Sequence, residues 1–233
     1  MNKWKFLSGS WLKLLAVVSM LVDHLALFIW VKNPDFLQTL FTVGSHAITP
    51  YALCRMFGRL AFPIFAFLIV EGFLHTRSRK RYGINLLLFA LISEIPWNLV
   101  HTGTLLCPRQ NVMFTLLLGF LGLCALDRFR DKAGYLWGSL IGLFLVSFVL
   151  RADYGYVGYA FILMLYALRN LPPVQALVGC CMLPMRWVAG LAFIPINLYN
   201  GKRGFIQGPV GKYLFYAFYP VHLLLIWLIP LVF

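Results

Sequence analysis

The chain has 233 residues, of which 61% are hydrophobic and 12% charged, with a mean hydropathy of +0.83 and a formal net charge of +13. A soluble domain carries about 25% charged residues, so the composition excludes one and points to an all-α, polytopic integral membrane helical bundle. The Lys and Arg residues sit between apolar runs and form no basic domain able to hold a strand, so no nucleic-acid partner is expected.

A membrane span needs about 20 apolar residues, fewer when it packs among neighbours. The apolar runs predict helices near 11–31, 56–75, 83–101, 112–127, 134–151, 155–169, 174–185, 187–199 and 213–232, forming one domain over 1–233. The first run carries Asp23 and His24 and is followed by no small-x-small cleavage site, so it is expected to be a retained helix. Residues 37–50 are apolar but short and read as a re-entrant segment, a tilted segment or a tenth helix. With the N-terminus inside, the inner segments hold thirteen basic residues. The outer ones hold five: Lys32, Arg55, Arg109, Arg151 and Arg186. That asymmetry predicts a cytoplasmic N-terminus. The five cysteines show no metal spacing, so no metal is expected. Cys54 and Cys107 fall in outer segments, where a disulfide is chemically allowed.

The scarce polar residues inside the spans carry the functional signal. An ionised Asp at the centre of a membrane helix costs about 2.5–3.5 kcal/mol on insertion scales. Asp23 and His24 lie about 12 residues into the first run, roughly 18 Å along its axis. Glu94 sits at similar depth in the third span, with Asn98 four residues on and Pro96 between them. His222 follows Pro220 in the last span. Three helices thus deliver a carboxylate or an imidazole near one level. Each group also has a structural reading: a polar pair can simply hold helices together, and His222 can be a satisfied core histidine.

A second layer lies nearer the membrane faces. Arg59 opens one span, and Glu71 and His75 close it with i,i+4 spacing. The run Arg77, Arg79, Lys80 and Arg81 follows and serves at least as a positive-inside anchor. Asn200-Gly201-Lys202-Arg203-Gly204 is a turn with two cations flanked by glycines, which lets backbone N–H groups approach an anion closely. Asp153 lies at an outer helix junction.

Several of these stretches resemble one family. They are Leu14 to His24, ending Met20-Leu21-Val22-Asp23-His24; Gly58-Arg59-Leu60-Ala61-Phe62-Pro63-Ile64-Phe65, with Glu71-Gly72 and His75-Thr76 after it; Ser93-Glu94-Ile95-Pro96; Asn111-Val112-Met113-Phe114-Thr115-Leu116; Asp153-Tyr154-Gly155; Asn200 to Gly204; and Tyr216 to His222. In order, over nearly the whole chain, they resemble the TraX family of conjugal transfer, whose founding member acetylates the N-terminus of F-pilin. The family is similar to the wider membrane acyltransferases, which place a histidine in an early helix and take acyl groups from a cytoplasmic donor.

The resemblance implies an acetyltransferase of the bacterial inner membrane. Its donor would be acetyl-CoA and its acceptor a protein or glycan amine or hydroxyl at the membrane. Acyl transfer needs a base, a polarised carbonyl and a held leaving thiol. His24 is expected as the base, since an unperturbed imidazole titrates near about 6.5. Asp23 or Glu94 would orient it, and His222 would donate to the oxyanion or serve as base instead. Direct transfer and an acyl-histidine route both remain open. The CoA phosphates are expected near Arg77, Arg79, Lys80, Arg81, Asn200, Lys202 and Arg203. Arg59 is a further candidate for donor or acceptor, or a partner for Glu71 or Asp153. A proton-coupled transporter and a structural subunit of an envelope assembly are the rival classes; no internal repeat of the transporter kind is visible.

Overall fold

The computed structural model describes residues 4–44, 46–183 and 186–232; Lys3, Ser45, Pro184 and the side chain of Arg186 lie outside them. The chain is helical nearly throughout, and its helices gather into two compact units. One is formed by residues 1–65 and 184–233, the other by residues 66–183.

In the first unit, α1 (Gly9–Phe28) continues into a short 3-10 turn, so that Gly9–Lys32 is a candidate span. A second 3-10 turn (Pro34–Leu37) leads to a two-stranded antiparallel hairpin, β1 (Phe41–Val43) and β2 (His46–Ile48), in which Phe41 pairs with Ile48 and Val43 with His46. This corrects the expectation of a tenth helix over 37–50. Thr42, Val43 and Ile48 are β-branched residues that fit an extended backbone, and Gly44 takes the left-handed conformation at the tip (φ +60°).

α2 (Pro50–Gly58) starts where Thr49 caps it, its hydroxyl accepting the Ala52 N–H at 3.1 Å, with Pro50 in the first turn. A tight turn at Arg59–Leu60 separates it from α3 (Ala61–His75). The predicted 56–75 helix is therefore a longer, interrupted element over Pro50–His75.

In the second unit, α4 (Arg79–Thr102) is capped by Ser78 and ends at Gly103 in the left-handed conformation. It is followed by α5 (Val112–Arg128), α6 (Ala133–Leu150), α7 (Gly155–Ala167) and α8 (Pro172–Met182). α5 is the core helix: Met113, Thr115 to Phe120, Gly122 and Leu123 are all buried. Gly119 and Gly122 let α7 close in, because added Cβ atoms would meet Ile162 at 2.3 Å and Leu163 at 2.9 Å. The rings of Phe73 and Tyr82 pack edge-on against Phe120. α6, by contrast, has a single buried residue, Ser147. Tyr135, Trp137, Ile141, Phe148 and Val149 are exposed there, an apolar surface suited to lipid.

The remaining helices belong to the first unit: α9 (Arg186–Gly190), α10 (Phe193–Asn197) and α11 (Gly208–Val232). They replace the predicted 187–199 helix by two short ones. Among the described residues, five segments are long and apolar enough to cross a membrane: Gly9–Lys32, Pro50–His75, Arg79–Thr102, Ala133–Leu150 and Val210–Ile229. Others among the expected nine or ten spans are apolar but shorter, including α7 and α8. All five cysteines are free thiols, so the disulfide considered for Cys54 and Cys107 is not formed.

Gly119→Ala should cost about 1–3 kcal/mol by overpacking against Ile162 and lower the melting temperature of the detergent-solubilised protein. Gly138→Ala on α6, where a Cβ meets nothing within 4 Å, should leave melting unchanged.

Candidate functional site

The polar groups of the first unit meet along α1. Ser19 and Asp23 lie one turn apart on the same helix face, and both engage α2. Ser19 Oγ donates to the Phe57 carbonyl at 2.6 Å, and Arg55 Nη1 donates to Asp23 Oδ2 at 2.6 Å. Gly58 makes the approach possible: a Cβ there would fall 2.1 Å from Asp23 Oδ1. Arg55 and Asp23 retain only 18% and 16% side-chain exposure. Arg55 is thus not an outer-loop cation, as its place in the charge pattern suggested. It is the counter-ion that an ionised Asp inside a membrane helix requires. That requirement was the available signal, but the sequence did not say which of several arginines met it.

His24 turns to a different helix. Its Nδ1 lies 2.7 Å from Nε2 of His222 on α11, with the two rings nearly parallel at 8°. His222 is 4% exposed, and its own Nδ1 lies 2.9 Å from the Phe218 carbonyl. A carbonyl only accepts, so His222 Nδ1 carries a proton. A buried ring without a balancing charge holds just one, which makes His222 Nε2 an acceptor. His24 Nδ1 must then donate to it, and the lone pair of a neutral His24 is left on Nε2. The Phe218 ring lies parallel to His222 at 4.8 Å and helps fix its plane.

The same two helices meet again one level away. Lys13 Nζ of α1 sits 5.3 Å from the centre of the Phe215 ring of α11. Residue numbers rise together along both contacts, so α1 and α11 run in the same direction. If both span the bilayer, their starts share one side, and residues 9 and 232 lie on opposite sides. An odd number of crossings is needed for that.

The loop 200–204 wraps the start of α1. Asn200 N–H donates to Leu7 O and Gly9 N–H to Lys202 O, and Ser10 Oγ donates to Arg203 O at 2.9 Å. Asn200 Oδ1 accepts the Lys202 N–H. Gly204 has φ +88°, and a Cβ on it would strike the Ser8 and Ser10 hydroxyls. The backbone of this loop is spent on clamping α1, while the Lys202 and Arg203 side chains are exposed. Arg59 sits in the break between α2 and α3, rather than opening a span. Its Nε is buried without a hydrogen-bond partner among the described residues.

Glu94 belongs to the second unit. Its Oε2 accepts from the Nδ2 of Asn111, the residue that caps α5 with its Oδ1 on the Met113 N–H at 3.0 Å. Asn111 Nδ2 also donates to Ala90 O. One asparagine therefore starts α5 and ties it to α4, holding the Glu94 carboxyl beside the N-terminus of that helix. Glu94 Oε1, Ser93 Oγ and Asn98 Oδ1 are buried with no hydrogen-bond partner among the described residues. They are acceptors and a hydroxyl that a substrate or water can use. An Asn directly before an apolar run is a cap signal, and it marked Asn111 in the sequence.

Among the basic candidates of this unit, Arg79 is ion-paired with Asp127 and stacks over Phe73 at 4.4 Å. Arg77, Lys80 and Arg81 are exposed. Glu71 lies 3.7 Å from His75. Asp153 closes the α6–α7 corner: its carbonyl accepts from Thr115 Oγ1, and its N–H donates to Gln110 O.

Long apolar helices with ion pairs and imidazoles held inside them define a polytopic membrane protein with a polar interior. The TraX protein family matches residues 8–230, and the chain belongs to it. A relative from Dichelobacter nodosus, named "Probable fimbrial assembly protein FimC, serogroup H1", is 32% identical over 245 aligned positions, covering 92% of each chain. No solved structure matches.

Arg55→Ala leaves Asp23 without its counter-ion. Losing one member of a buried pair costs about 3–5 kcal/mol, so this variant should melt well below the native protein. The double variant Asp23→Asn with Arg55→Gln, which removes both charges, should recover most of the loss in the same assay.

Proposed function

We propose that the protein is an integral membrane acetyltransferase. It would move an acetyl group from acetyl-CoA to an amine or hydroxyl acceptor at the bacterial inner membrane. The family membership and the fimbrial assembly name of the relative favour a pilin-type protein, acetylated on its N-terminal amine. The N-terminus of the chain is assigned to the cytoplasm from the excess of basic residues on that side.

The observation that carries this reading is the relay Phe218 O, His222, His24. A base must present a lone pair, and the relay directs it to His24 Nε2. His24 takes the proton that the attacking nitrogen or oxygen loses as its bond to the acetyl carbon forms and the carbon–sulfur bond breaks. The imidazolium then returns that proton to the departing thiolate. His222 fixes the tautomer and plane of His24 throughout, so in this reading it is a positioning residue. Asp23 positions α1 against α2 through Arg55. The free CoA thiol and the acetylated acceptor leave the balance of atoms complete, with no metal needed.

The direct test is purified protein with labelled acetyl-CoA and a pilin-type acceptor, followed by mass spectrometry. His24→Ala should lower kcat by about 10²–10⁴-fold, the usual contribution of a positioned base, while insertion and melting stay near native. His222→Gln keeps an acceptor for the His24 proton and should retain more activity than His222→Ala. Turnover by His24→Ala at the native rate would reject the base assignment. Equal loss in both His222 variants would reject the relay.

A further inference from the structure

The face of α1 that carries His24 also carries a cation, Lys13, that rests over the Phe215 ring without a carboxylate partner among the described residues. Lys13 and His24 are eleven residues apart, three full helical turns to within about 20°, so both lie on one stripe. Phe215 and His222, seven residues apart on α11, share a stripe in the same way. The two helices therefore meet along a seam with Lys13 at one end and the imidazole pair at the other. The separation along α1 is roughly 16 Å.

Lys13 is half-buried and makes no ion pair or side-chain hydrogen bond among the described residues. Arg203, with an exposed side chain, belongs to the loop clamped on the start of the same helix. Its carbonyl is held one turn below Lys13, against Gly9 and Ser10. Two cations thus lie at the start of α1, and Lys13 has no ion-pair partner among the described residues, an electrostatic arrangement that an anion relieves.

We infer that Lys13 and Arg203 bind a phosphate group of the acyl donor, setting the depth at which its thioester meets His24. This deepens the acetyltransferase reading and rests on it. The pantetheine chain of CoA, when extended, is of the same length class as the Lys13–His24 separation. A donor anchored by phosphate at the level of Lys13 thus has the reach to bring its carbonyl to the imidazole. Proximity of this kind is a large part of what an enzyme supplies to a two-substrate reaction. A phospholipid headgroup offers the same phosphate chemistry, and the test separates the two.

The experiment measures CoA binding by calorimetry with the full chain in nanodiscs of zwitterionic phosphatidylcholine, and again in anionic phosphatidylglycerol. The native protein should bind CoA, and Lys13→Gln should weaken binding about tenfold or more in both lipids, as expected for loss of a charge-assisted contact. Lys13→Arg should restore it. Pantetheine, which carries the thiol arm and no phosphate, should bind native protein and Lys13→Gln alike. Native CoA affinity in Lys13→Gln would overturn the Lys13 assignment and leave the acetyltransferase reading standing. A loss confined to phosphatidylglycerol, with bound anionic lipid released, would assign the cations to a headgroup and overturn the inference. Absence of CoA binding by the native protein would remove both.

Discussion

A charged carboxylate persists among apolar helices only when another group meets its charge, and in the first unit the Arg55–Asp23 pair does so. The pair dictates much of what surrounds it. Gly58 must lack a side chain for Asp23 to reach α2, and Ser19 satisfies the Phe57 carbonyl exposed where α2 ends. Once α1 is fastened on that side, His24, the next residue, points elsewhere by the 100° step of the helix. It meets α11, and the imidazole pair follows.

Asp23 and Glu94, acidic groups inside the spans, are handled in different ways. Asp23 is answered by a full opposite charge, Glu94 by an amide and the N-terminus of α5. An amide cannot neutralise a carboxylate, but a helix N-terminus adds partial positive charge to it. The same Asn111 both caps α5 and ties it to α4. The core helix of the second unit and the position of Glu94 are consequently set by one side chain.

Much of the fold was legible because hydropathy and length constrain membrane helices tightly. The spans around 11–31, 83–101, 112–127 and 213–232 fall within a few residues of α1, α4, α5 and α11. Asp23, His24, Glu94 and His222 stood out because polar atoms at such depth are costly. What stayed hidden depends on partners far along the chain. Nothing local to Arg55 says that it turns to residue 23 rather than to the headgroups. The tautomer of His24 follows from a carbonyl at Phe218, almost two hundred residues away. The hairpin at 41–48 was missed because a short apolar stretch has no period that separates strand from helix, although Gly44 and the β-branched residues around it were the usable cue. The break at Arg59–Leu60 carries no proline at that position and left no mark in the hydropathy.

The clamp on the start of α1 bears on the order in which the chain is made. Leu7 is hydrogen-bonded to Leu198, and Ser10 to Arg203, the latter across a sequence separation of 193. His24 likewise needs a residue 198 positions later. Residues 66–183 are continuous and can pack as they leave the ribosome, as domains generally do. Asp23 meets Arg55 after only 32 residues, so the charge is covered early in synthesis. The imidazole pair is assembled only once α11 has been made. A nascent chain thus can hold its ion pair well before the two histidines meet.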